Sequence, residues 1–172
     1  MRDHDFVLVI DGSLDDENVE DLYESGCSDA TFGVVDEVAF GEFTRSAESF
    51  ADAVESAIHD VESVPGLVVR RIEPDDLVTL SEIAERLGRT RESVRLLAAG
   101  KRGRGDFPPP VSHLRSRFRL WRWSDVAVWA GVVGDDERRR ALFVAALNAS
   151  LEMRRRGGLD VEERRLVERL AG

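Results

Sequence analysis

The chain has 172 residues with 24 Lys and Arg against 34 Asp and Glu, a net charge of −10, and 42% hydrophobic residues. The apolar content suffices for a packed core, but no run approaches the ~20 consecutive apolar residues of a membrane span. With Cys27 as the single cysteine, an internal disulfide and a Cys-based metal cluster are both excluded. The charge is unevenly placed. Residues 1–76 hold 4 basic and 21 acidic side chains, a net of −17, while residues 77–172 hold 20 basic and 13 acidic, a net of +7. Such asymmetry between halves points to separate domains with separate partners. The acidity that argues against nucleic acid therefore belongs to one half only.

In chain order, Phe6–Ile10 is a β-branched-rich run closed by Asp11-Gly12, read as a buried central strand. The start has a short apolar run but neither the basic n-region nor a proper h-region of a signal peptide, so a cytoplasmic location is expected. Asp15–Ser25 carries Val19, Leu22 and Tyr23 on one side and stops at Gly26, a short helix. Ala30–Val35 and Val38–Phe43 read as strands joined at Asp36-Glu37. A helix follows over about Ala47 to Val64, with apolar positions recurring at three and four, and Leu67–Ile72 reads as a last strand. The order β-α-β-β-α-β predicts an α+β, ferredoxin-like first domain over 1–76. Its acidic surface is either a solvated face or a surface that binds a basic protein or restrains the basic half of its own chain.

The second domain, 77–131, opens with Thr79-Leu80-Ser81-Glu82, a capping box. Leu80, Ile83, Ala84 and Leu87 form the apolar face of one helix, Gly88 supplies the turn, and Thr90 caps a second helix from Arg91 to Ala99. Val94 and Leu97 face inward, which leaves Arg91, Glu92, Ser93 and Arg95 on the outer face near the helix start. Those positions in a recognition helix reach base edges in the major groove. Arginine bonds bidentately to guanine, and Thr90 and Ser93 suit phosphate or base edges beside a helix N-terminus. Lys101, Arg102 and Arg104 lie in a basic loop suited to phosphate. Phe107–Val111 is extended and proline-rich, compatible with an edge strand only. Arg115, Arg117 and Arg119 alternate with Ser116, Phe118 and Leu120, which predicts an arginine-bearing hairpin with a second, apolar face. Trp121 and Trp123 close a core, and Ser124-Asp125 caps a third helix.

The segments VTLSEIAERLGRTRESVRLLAAG, FPPPV and RLWRWSDVAVWAG together resemble the winged helix-turn-helix DNA-binding domains of AlpA/excisionase and MerR-type proteins, including actinobacterial regulators of that kind. The resemblance covers about 55 of the 172 residues. It implies binding of double-stranded DNA by the helix starting at Arg91 and by a wing at Arg115–Arg119. The stretch Ser46–Val64 is faintly similar to the helix of HicB-type antitoxin domains.

The remaining residues, 132–172, predict a long helix from Asp135 to Arg156 with an apolar stripe of Leu142, Phe143, Ala145, Ala146, Ala149 and Met153. A shorter helix follows over Asp160–Leu170, the two forming a helical hairpin that either packs on the second domain or makes a homodimer. His4, His59 and His113 are isolated, and no nucleotide-binding or nucleophile-elbow motif occurs, so neither enzymatic activity nor a cofactor is expected. Two functions fit. One is a transcriptional regulator that binds an operator. The other is an antitoxin-like protein whose acidic domain binds a partner protein while the winged helix represses its own operon.

Overall fold

A computed structural model describes residues 1–103, 105–116, 118–132, 134–156 and 160–171, the side chains of 156 and 171 excepted. The protein is mixed α+β and divides into two compact units, Met1–Pro74 with Ala146–Gly172, and Asp75–Ala145. The C-terminal extension expected from residue 132 therefore splits, its first residues clustering with the second unit and the rest with the first.

The first unit is built on strands β1 (Arg2–Asp11), β2 (Ala30–Val35), β3 (Val38–Ala47) and β4 (Val68–Glu73), with helices α1 (Asp16–Glu24) and α2 (Phe50–Ser63). The sheet is antiparallel in the order β2-β3-β1-β4. β1 is central, as its apolar run suggests, but only alternate residues are fully inside: Phe6, Leu8 and Ile10 are buried while Val7 and Val9 are half-buried. Together with Phe43, Val69 and Ile72 they meet Leu22 of α1 and Ala53, Val54, Ala57 and Val61 of α2 in one core. Each such aliphatic side chain contributes about 2 kcal/mol on leaving water.

β1 and β3 are longer than their hydrophobic runs. Asp5 faces Thr44 and Asp3 faces Ser46 in the register. Thr44 Oγ1 donates to Asp5 Oδ1 at 3.0 Å and Ser46 Oγ to Asp3 Oδ1 at 2.5 Å, so polar cross-strand pairs carry the ladder beyond the apolar segment. This draws Ala47 into β3, and α2 starts three residues later than expected. Ser49 is its cap, accepting from the Asp52 N–H at 3.1 Å while Asp52 accepts from the Ser49 N–H.

Arg45 is buried beneath this sheet, and all five of its N–H donors are used. Nε and Nη2 form a fork onto Asp29 at 2.8 and 2.9 Å, Nη1 reaches Asp60 at 2.7 Å and Ser56 at 3.2 Å, and Nη2 also donates to Gly26 O at 3.0 Å. Its guanidinium lies 5.3 Å from the Phe43 ring centre. Cys27 is fully buried beside it, and burial pushes its thiol pKa up.

Helix α6 (Asp135–Arg156) does not bury the expected stripe. Leu142 and Met153 are exposed, whereas Val144 and Leu151, two turns apart, are buried. Between them Asn148 bonds to the main chain of Ile72, and Arg154 pairs with Glu62. Those polar anchors, on α2 and β4, set the inner face of the part of α6 that belongs to this unit. α7 (Val161–Ala171) exposes every described side chain, so the packed helical hairpin is absent among the described residues. None of the helices among the described residues is long and apolar enough to cross a membrane.

The second unit comprises β5 (Leu77–Val78), α3 (Leu80–Arg86), α4 (Arg91–Ala98), β6 (Trp121–Arg122), α5 (Trp123–Ala130) and the start of α6. Val78, Ile83, Ala84, Val94, Trp121 and Val126 form its core, flanked by Leu80, Leu87, Phe107 and Trp123. The inward residues named from helical spacing on α3 and α4 are thus the ones that pack. The β5–β6 pair, Leu77 opposite Arg122 and Val78 opposite Trp121, carries no sequence signal because each strand is two residues long.

The predicted wing is not a β-hairpin. Phe107–Val111 forms no strand, and among the described residues the two arms meet only at a Ser112–Leu120 bridge, with Val111 N–H donating to Leu120 O at 2.8 Å. His113 takes a positive φ of 54° and the chain turns at Leu114-Arg115, which ends any period-two alternation. Phe118 and Leu114 are exposed rather than buried on an apolar face. Instead tryptophans hold the proline-rich segment: Trp129 Nε1 donates to Gly105 O and Trp121 Nε1 to Pro108 O, both at 3.1 Å, and Phe107 packs edge-on against Trp129.

Candidate nucleic-acid interface

The site is built on α3 and α4. Thr79 accepts from the Glu82 N–H at 3.3 Å, and Glu82 Oε2 accepts from the Thr79 N–H at 2.7 Å, completing the predicted capping box. Those bonds, the Thr79 N–H first, hold the Glu82 carboxyl below its ordinary pKa. α3 ends at Arg86 with Leu87 as its C-cap, and Gly88 takes φ +60°, a left-handed conformation that lets Arg89 N–H close back on Ala84 O at 2.8 Å. Two residues later Thr90 caps α4 by accepting from the Ser93 N–H at 3.2 Å. Val94 and Leu97 are buried, so the opposite side of α4 is open.

Arg91 and Glu92 are exposed on the first turn, and Ser93 is half-buried with its N–H committed to the cap. Arg95 is also exposed, yet its guanidinium is not free. Nε and Nη2 donate to the two Glu92 carboxylate oxygens at 2.7 and 2.6 Å. This fork lowers the Glu92 pKa and raises that of Arg95. The outer face read from spacing therefore carries one guanidinium without an ion-pair partner among the described residues, Arg91, and one neutralised pair, Glu92 with Arg95.

Directly after α4, Lys101 N–H bonds to Leu96 O at 2.9 Å and turns the basic loop off the helix. Gly103 (φ +82°) passes so close that a Cβ there would meet Leu97 Cδ2 at 2.7 Å, which fixes the loop against α4. Lys101 and Arg102 are exposed without a partner among the described residues, and so are Arg115 and Arg119 in the 113–119 loop. Arg104 and Arg117 lie outside the described residues.

Three further residues matter that spacing did not single out. Arg89, exposed at the turn, adds a cation immediately before the Thr90 cap, and its position between Gly88 and Thr90 is the signal that was there to use. Arg86 stacks its guanidinium 5.1 Å from the Trp123 ring centre. Asp76 is the larger omission. Its fully buried carboxylate accepts from Ser124 N–H at 2.8 Å, Ser124 Oγ at 3.0 Å and Arg122 Nη1 at 3.1 Å, and its carbonyl accepts from Trp123 N–H at 2.6 Å. Thus α5 is capped by Asp76, not by its own Ser124-Asp125. Nothing within one helical turn could announce a cap 48 residues away.

No protein-family model matches the chain, and neither curated proteins nor solved structures give a match. Chemically, the arrangement offers one open helix face with exposed cations at its start and in the two loops that follow, a set suited to a polyanion.

Proposed function

We propose that the unit Asp75–Ala145 binds double-stranded DNA and that the protein is a bacterial transcriptional regulator. The observation that carries this reading is α4: its inner face is committed to the core, while its capped N-terminal turn exposes Arg91, which has no ion-pair partner among the described residues. In this reading α4 lies in the major groove, Arg91 contacts a guanine edge, and Thr90 and Ser93 meet phosphate at the helix N-terminus. Lys101, Arg102, Arg115 and Arg119 neutralise backbone phosphates, which sets orientation rather than sequence. Arg95 reads a base only after leaving Glu92.

The order β5, α3, α4, β6 and α5, with β5 and β6 paired antiparallel, supports a winged helix-turn-helix in which the wing is an irregular basic loop. The sheet order β2-β3-β1-β4, with helices after β1 and β3, supports a ferredoxin-like arrangement for the first unit. A homodimer matches a palindromic operator.

The test is to express the full chain, sequence the DNA that co-purifies with it, and titrate the enriched site at several salt concentrations. One enriched site with an affinity that falls steeply with salt is the expected result. Absence of any salt-sensitive DNA affinity would end this reading.

A further inference from the structure

The sheet of the first unit closes one edge and leaves the other open. On β4, Asn148 Oδ1 accepts from the Ile72 N–H at 2.8 Å and its amide donates to Ile72 O at 2.9 Å. The Val69 N–H donates to Glu62 Oε1, and Val69 O accepts from Arg154, both at 2.9 Å. Side chains thus take the place of a further strand.

Among the described residues, β2 has no such cover. Val35 and Val38 flank the two-residue turn Asp36-Glu37, whose φ values are 50° and 64°, and they are Cα partners. In a two-residue hairpin the flanking pair is hydrogen-bonded, and pairs then alternate along the ladder. The main-chain groups of Phe32 and Val34 therefore face away from β3, and among the described residues nothing bonds to them. Natural edges are blunted by charge, proline or a bulge. β2, ATFGVV, has no charged residue and no proline, its register is unbroken, and Val34 and Val35 are 57% and 59% exposed.

The charge beside this edge has one sign. Asp36, Glu37 and Glu42 are exposed carboxylates of the same hairpin, and Arg45, its single cation, is buried and consumed by Asp29 and Asp60. Pairing of two β2 edges about a two-fold axis would bring Asp36 and Glu37 of one copy toward Asp29 of the other, like against like. An extended segment with basic residues flanking apolar ones has no such conflict. We propose that β2 is a docking edge for a basic, extended peptide segment of a partner protein, which adds to the sheet as a fifth strand. This inference stands independently of DNA binding by the other unit, and it names a surface for the protein partner expected of the acidic half.

The probe is a fluorescein-labelled seven-residue peptide of alternating lysine and valine, with a glutamate-for-lysine control, added to the full chain at physiological salt. Saturable anisotropy is expected with the lysine peptide only, together with slowed amide exchange at Phe32 and Val34. Val34→Pro removes the outward N–H and spares the bonds to β3, because Val34 and Ala39 form a pair without ladder bonds. It should keep the fold, judged by circular dichroism, and bind at least roughly tenfold more weakly. Val34→Lys, which places a repelling charge on the edge, should weaken binding likewise and serves where the proline variant does not fold, while Val34→Thr should bind normally. The proposal is overturned by no binding to the unmodified chain, by equal binding to the folded edge variants, or by a β2-dependent dimer in sedimentation.

Discussion

Glu92 holds Arg95 in a two-bond fork across a single turn of α4, at 2.6 and 2.7 Å, on the face proposed to enter DNA. The pair is exposed, so it adds little to stability, but it sets how many charges α4 presents. Replacing Glu92→Gln removes a carboxylate that repels phosphate and releases Arg95. Affinity for the enriched DNA should rise by roughly two- to fivefold, the scale of an exposed ion pair. Arg95→Ala should then cost more in the Glu92→Gln background than alone. Identical affinities across this set would show that the fork does not gate α4.

Arg91 and Lys101 should separate base reading from phosphate binding. Arg91→Ala is expected to lose about 1–3 kcal/mol of discrimination at one base position. Lys101→Ala should weaken all sequences alike and reduce the salt slope by about 1. Competition titrations with shuffled sites measure both quantities, and a uniform loss for Arg91→Ala would remove it from base contact.

Asp76→Ala should destabilise the second unit by about 2–4 kcal/mol, because the Ser124 N–H and hydroxyl are left buried without a partner. All three tryptophans, Trp121, Trp123 and Trp129, lie in that unit, so tryptophan fluorescence in a denaturant titration reports on it selectively. An unshifted transition would mean that α5 finds another cap.

Arg45→Met should destabilise the first unit by about 3 kcal/mol, since Asp29 and Asp60 lose their shared counter-charge. Cys27, the lone thiol and fully buried, is the reporter: it should label slowly in the unmodified chain and roughly a hundredfold faster in the variant. Equal labelling rates would refute a structural role for the arginine.

Acid should loosen the start of α3. The Glu82 carboxyl titrates below its ordinary value of 4.5 in the folded chain, held there by the Thr79 N–H. Its stabilisation is complete above the unfolded pKa and is lost as the pH falls through the depressed folded one. Glu82→Gln should therefore flatten the fall in stability of the second unit as the pH drops below about 5, followed by tryptophan fluorescence. Parallel curves for the two proteins would contradict this.

What the sequence by itself determined lies within one turn of chain. Thr79 with Glu82, the Gly88 turn, the Thr90 cap and the Asp36-Glu37 hairpin were readable because an N-cap bond spans three residues and a tight turn two. The buried faces of α3 and α4 were readable because helical spacing alone dictates which side chains share a side. What the tertiary structure decided involves partners tens of residues apart. Asp3 and Asp5 became strand because Ser46 and Thr44 arrived opposite them. Asp76 became a cap because Ser124 was brought to it, and the arginine-rich run failed to become a strand because the chain turns at His113–Arg115. Asn148 and Arg154 chose the inner face of α6 by bonding to a sheet edge. Where a distant partner decides, the reason is common: a hydrogen bond stabilises only when its partner is present, and local pattern carries no record of that partner. The charge on α4 follows the same rule at shorter range, for spacing named Arg95 as outward but only its rotamer showed that Glu92 had taken it.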